Sequence, residues 1–237
     1  MGEAVQDYVC LDLETTGLRP KFDKIIEIGA ARVRGGEIQE TFETFVRPGI
    51  ALPERIAELT GISEADLEGA PAIGEVIPDF LAFSQGLPFL GHNVSFDFAF
   101  LKRAAANAGF ELERSAIDTL KLARKFLPQL PGRRLADLCA HYEIPLRNHR
   151  ALPDACAAHF LYRRLCEEFY REEDFAPFPL VCKVKKEGPA TRAQKERLKK
   201  LCDRYGIRPD FDPDLLTKNE ASRLIDRILA AYGILQK

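Results

Sequence analysis

The 237-residue sequence predicts an α/β fold with a mixed sheet, followed by a small helical segment. Three observations predict it. Three strand-like runs come first and are joined by short turns. Helical stretches then alternate with short apolar strands. A Pro-containing stretch separates these from two amphipathic helices.

The first strand is the run beginning "YVCLDL" at residue 8, rich in strand formers. A second strand spans about 25–33 and a third about 38–46. Gly35-Gly36 between them is a hairpin signal, so these two should pair antiparallel. Short helices are expected at 53–59 and 73–83. "LPFLGHN", residues 87–93, reads as a short buried strand. Ser95 is placed to cap a helix over 96–108 that stops at Gly109. Residues 116–120 form a strand or strand-to-helix step. Helices should follow at 119–126, 135–142 and 151–171, with Pro153 acceptable only in the first turn of the last.

Pro177, Pro179, Gly188 and Pro189 mark 176–190 as a linker, so the expected division is 1–175, the linker, and a module at 191–237. That module carries two capping boxes, Thr191 with Gln194 and Thr217 with Glu220. Each is followed by an apolar stripe at helical spacing.

Hydrophobic residues make up 46% of the chain, enough for a sizeable core, and the net charge of −2 does not indicate a nucleic-acid binder. The charge is uneven, however. Residues 183–208 carry a net of +7, leaving −9 on the rest. Within that basic run Lys195, Arg197, Lys199, Lys200 and Arg204 are candidates for phosphate contacts; a solvated helix face is the plainer reading. Six cysteines occur without zinc-type spacing, and there is no signal peptide or membrane-spanning run. A soluble, cytoplasmic protein with no membrane contact is expected.

Inside the first strand, residues i and i+2 share a face, so Asp12 and Glu14 sit side by side near its C-terminal end. Open α/β sheets place their ligand crevice at such ends. Asp97 falls in the first turn of the 96–108 helix, and His149 and Asp154 flank the start of the last long helix. Each residue alone has an ordinary explanation: a charged edge strand, or an acid favoured by a helix dipole. Together they form four separated carboxylates and one histidine, each near the end of an element. Carboxylates at close quarters raise one another's pKa unless cations neutralise them, and hard divalent ions with oxygen ligands do so. A histidine beside them can accept a proton near neutral pH.

The ordered set Asp12-x-Glu14, Asp97 and His149-x-x-x-x-Asp154 resembles the DEDDh branch of the DEDD 3′–5′ exonuclease superfamily. The flanks "DLETTGL", "DKIIEIGAARV", "LTGIS", "GHNVSFDFAFL", "DTLKLAR" and "HRALPDA" match as well. Within the superfamily the sequence is most similar to the proofreading epsilon subunit of DNA polymerase III and to the exonuclease domain of replicative polymerases. The resemblance covers about residues 7–170.

It implies an RNase H-like fold with a mixed five-stranded sheet flanked by helices. It implies two divalent cations, Mg²⁺ or Mn²⁺, held by Asp12, Glu14, Asp97 and Asp154, with His149 as general base. It further implies release of nucleoside 5′-monophosphates from a 3′ end. Thr15, Thr16, Leu18, Thr60, Gly61, Ile62, His92 and Phe96 are the implied substrate contacts, Thr15 and Thr16 through their backbone to the terminal 3′ hydroxyl and Leu18 as an apolar wedge between the last two bases. The expected partner is nucleic acid, DNA before RNA, with a DNA polymerase or another replication or repair protein as a further partner. Trimming of RNA 3′ ends and a non-catalytic adaptor on the same scaffold are the alternatives.

Overall fold

A computed structural model describes residues 4–146 and 149–232. β1 (Tyr8–Thr15), β2 (Ile25–Arg34) and β3 (Glu37–Phe45) form an antiparallel meander. The β2–β3 turn takes φ of 57° at Gly35 and 79° at Gly36, a conformation that L side chains resist. β4 (Phe89–Gly91) and β5 (Ser115–Asp118) add in parallel beside β1, and β6 (Phe178–Pro179) closes the far edge antiparallel. The order is β3-β2-β1-β4-β5-β6.

The sheet is mixed, as expected, with six strands rather than five. The additional strand, β6, lies inside the stretch read as a linker, and the neighbouring Leu180 is buried in the core. Its prolines are compatible with this place because an edge strand need not donate every ladder hydrogen bond.

The strand alternation sorts side chains onto two faces. Val9, Leu11, Leu13, Ile28 and Ala30 pack against α3 (Ile73–Ser84) and α4 (Val94–Ala108). Tyr8, Cys10, Ala31 and Val33 pack against α5 (Thr119–Phe126), α6 (Leu135–His141) and α7 (Ala151–Phe169). α1 (Glu54–Thr60) and α2 (Glu64–Glu68) sit over Ile26 and Leu52, and α8 (Glu172–Phe175) follows α7.

α4 begins two residues before the expected start. Asn93, in the left-handed region at φ 73°, occupies the cap position, and no side chain caps the helix there. The Asn93 N–H donates instead to the Asp118 carboxylate at 3.0 Å. Asp118 also caps α5, so one buried acid ties the ends of β4 and β5 to the starts of two helices.

α9 (Arg192–Tyr205) and α10 (Lys218–Tyr232) share a core of their own, including Leu198, Leu201, Leu216, Ala221 and Ile225. Both capping boxes are present. This pair leans on the rest of the chain. The Ala51 N–H donates to the Asp210 carbonyl at 2.7 Å, and the Asp212 N–H to the Gly49 carbonyl at 2.8 Å. Lys24 pairs with Glu220 at 2.6 Å. Among the described residues no helix is long and apolar enough to cross a membrane.

Candidate active site

The acids gather at the C-terminal end of β1. Asp12 and Glu14 project from the face that receives α7, cross-strand from Gly29 and Glu27. Asp97 comes from the first turn of α4, on the opposite face, and one of its carboxylate oxygens accepts the Leu13 N–H at 3.1 Å. The buried Asp97 carboxyl is thereby fixed beside the strand carrying Asp12. Asp154 lies in the first turn of α7. Its Oδ2 accepts the backbone N–H of His149 at 3.1 Å, and its Oδ1 is buried without a hydrogen-bond partner. His149 itself adopts φ 65°. Ligand atoms of Glu14, His149 and Asp154 all lie within 4.8 Å of one another.

Crowding shows in the protonation of these groups. Burial, then repulsion from Asp97, Asp154 and Glu14, holds the Asp12 carboxyl well above the usual range. Burial likewise raises Asp97 well above it, against the opposing hydrogen bond from Leu13. Glu14 is pushed up to about 7 by burial and by Asp154 and Glu27. Asp154 is raised to about 6, chiefly by burial, with His149 working the other way. A cluster of this kind is incomplete without positive charge. The orphaned Asp154 oxygen and the carboxylate oxygens gathered around it suit a hard divalent cation.

Three residues that the sequence reading did not single out, Glu27, Arg150 and Gly29, hold the site together. Glu27 is fully buried in β2. It accepts from Arg150 Nη2 at 2.7 Å and Nε at 3.0 Å, and from the Ala151 N–H at 3.0 Å. Arg150 stands between His149 and α7, so this ion pair fixes the segment that carries the histidine. Gly29, two residues along β2, admits the α7 backbone; a Cβ there would lie 2.0 Å from the Leu152 nitrogen. The signal was available, since Glu27 and Gly29 follow the same i, i+2 rule that grouped Asp12 with Glu14.

The expected substrate contacts divide. Leu18 is 81% exposed on the loop directly after β1. Thr15 and Thr16 are buried; Thr15 Oγ1 donates to the Gly17 carbonyl, and the Thr16 N–H and Oγ1 both engage the Lys24 backbone. Gly61 ends α1 in the left-handed region, but Thr60 and Ile62 turn inward. Both His92 ring nitrogens are held by the protein, Nδ1 by Thr119 Oγ1 at 2.9 Å and Nε2 by the Arg133 carbonyl at 2.8 Å. Phe96 packs on Phe100 with ring centres 5.1 Å apart. Of this group, Leu18 is the side chain most open to a ligand. His159, outside this group, is buried and pairs with the Tyr8 hydroxyl at 2.9 Å.

An exonuclease family model (RNase_T) matches residues 9–162. The chain belongs to this exonuclease family. Its relatives include the DNA polymerase III PolC-type protein of Caldanaerobacter subterraneus, 40% identical over 163 residues, which are 68% of this chain and 12% of the relative. That of Thermotoga maritima is 34% identical over 215 residues, 90% of this chain and 14% of the relative. The exonuclease thus spans about an eighth of the length of these relatives. Among solved structures, Exonuclease X in complex with 5′-overhanging duplex DNA is 26% identical, covering 71% of this chain and 96% of that one at a TM-score of 0.56. The E. coli Exonuclease I–single-stranded DNA complex with zinc, 18% identical over 72% of this chain and 42% of that one, shares the fold at a TM-score of 0.64. The sheet and its flanking helices are therefore those of DEDD-superfamily exonucleases.

Proposed function

We propose that this exonuclease acts from the 3′ end of DNA, on single-stranded or frayed ends, and uses two divalent cations, Mg²⁺ or Mn²⁺. The observation that carries this is the convergence of Glu14, His149 and Asp154, with Asp12 and Asp97 beside them, on one crowded and partly buried point. The DEDDh spacing of these five residues supports the direction of attack. The polymerase relatives and the DNA-bound Exonuclease X support DNA as substrate and a role in proofreading or repair.

In this reading Asp12, Glu14, Asp97 and Asp154 hold the cations, which when bound offset the phosphate charge and activate both water and the leaving oxygen. Asp97 is oriented for this by the Leu13 N–H, and Asp154 by the His149 N–H. His149 takes the proton of the attacking water, and the Glu27–Arg150 pair holds the backbone from which it acts. Leu18 separates the terminal bases. The products are nucleoside 5′-monophosphates. The nuclease unit runs past residue 175 to take in β6 and Leu180, and 191–237 form an appended module. A replicative polymerase is the partner suggested by the relatives, and the bacterial cytoplasm the place of action.

Incubation of 5′-labelled DNA and RNA oligomers with Mg²⁺, Mn²⁺ or EDTA tests this. A ladder shortening from the 3′ end, abolished by EDTA and by Asp12→Ala, is expected for DNA. Preference for RNA would reassign the substrate. No shortening of either polymer with any metal would leave the adaptor reading.

A further inference from the structure

The loop that leaves the catalytic strand does not end in solvent. Thr16 and Lys24 close it through two hydrogen bonds, Thr16 N–H to the Lys24 carbonyl at 2.8 Å and Lys24 N–H to Thr16 Oγ1 at 2.9 Å. Lys24 is in turn held by Glu220 of α10 at 2.6 Å. At the tip of the loop Phe22 is exposed, and its ring is approached by Arg19 at 5.0 Å, Lys21 at 5.7 Å and Arg223 of α10 at 4.6 Å. Arg227, one turn further along α10, lines the same crevice of about 440 Å³. Arg19 has Asp23 as a partner. Among the described residues no carboxylate pairs with Lys21, Arg223 or Arg227.

Cations crowded round one aromatic ring repel one another, and a polyanion relieves that repulsion while the ring offers a base a stacking face. We propose that α10 and the 16–24 loop together form a second nucleic-acid-binding surface, which takes the sugar-phosphate backbone of the substrate strand on the 5′ side of the bond being cut. Phe22 stacks a base, and Lys21, Arg223 and Arg227 meet phosphates. Along the loop the exposed Leu18 follows the acids of β1 and precedes Phe22, and we take the same order along the bound strand. The basic run conspicuous in the sequence lies on α9, where Lys195 is already paired with Asp214. The helix that touches the loop is α10. This inference rests on the nuclease reading for the identity of the strand.

The test separates the two. Binding of a labelled single-stranded DNA 12-mer is measured in EDTA across a salt series for the wild type, Arg223→Gln/Arg227→Gln, and Lys199→Gln/Lys200→Gln as a comparison on α9. In parallel, Mn²⁺-dependent hydrolysis of thymidine 5′-monophosphate p-nitrophenyl ester, too short to reach α10, reports on the acids by themselves. Each lost phosphate contact lowers the salt slope by about 0.7, so the α10 variant should lose about 1.4 of slope; a fourfold rise in salt then weakens the wild type about 7-fold more than the variant. Small-ester hydrolysis by the α10 variant should match the wild type. An unchanged slope in the α10 variant, or a loss confined to the α9 variant, would overturn the inference. Failure of the wild type to hydrolyse the ester would count against the nuclease reading, and the binding series would still decide this one.

Discussion

Glu14→Gln should stabilise the metal-free protein at alkaline pH. Burial and the neighbouring acids raise this carboxyl from 4.5 to about 7. Below the lower value the residue is protonated in both folded and unfolded chains and the shift has no effect on stability. As pH rises through the interval, the unfolded chain ionises first, so stability is lost progressively up to the folded value and the loss is complete above it. A rise of this size corresponds to about 3 kcal/mol at about pH 8 and under about 1 kcal/mol at about pH 5. For a chain of this length, about 3 kcal/mol is roughly 6–12 °C in melting temperature. Thermal unfolding in EDTA, followed by circular dichroism at the two pH values, reads it directly. Glutamine should melt higher than wild type at about pH 8, and the gap should shrink at about pH 5. Added Mg²⁺ or Mn²⁺ should raise the wild type more than the variant, because the cation neutralises what the substitution removes. Equal melting temperatures at both pH values would refute the crowding argument, and equal metal-induced shifts would refute the assignment of Glu14 as a ligand.

Other perturbations address the frame around the acids. His149→Ala should lower kcat by about 10²–10⁴ while Mn²⁺ still raises the melting temperature; normal turnover would remove the histidine from the chemistry. Arg150→Met leaves Glu27 buried without its cation, which should cost roughly 3 kcal/mol in urea unfolding, whereas Arg150→Lys should recover part of that stability but less of kcat. Gly29→Ala sets a Cβ against the Leu152 nitrogen, so the first turn of α7 must move; kcat should fall with the fold intact by circular dichroism, and an unaffected rate would mean that the position of α7 is not limiting.

Several features of the site were legible along the chain because their causes are local. The i, i+2 rule placed Asp12 and Glu14 on one face of β1. Gly35-Gly36 predicted the β2–β3 hairpin because its φ values are intrinsic to the residue type. Both capping boxes in the C-terminal segment follow from groups three residues apart. The spacing of His149 and Asp154 likewise placed both at the start of α7.

What only the tertiary structure decided involves partners far apart in the chain. Ser95 had the chemistry of a cap, yet Asp118, from another strand, holds the turn before α4 instead. His92 looked available for a nucleotide, but Thr119 and the Arg133 carbonyl take both its nitrogens. Glu27 reads locally as an acid misplaced in an apolar strand. Its partner Arg150 lies 123 residues away and reaches it only because β2 and the start of α7 meet at Gly29. The sequence by itself determined which side chains could carry charge to the end of β1. Long-range packing determined that they converge there and which of them remain free to meet a ligand, because a hydrogen bond between distant segments depends on where the whole chain brings its donors and acceptors.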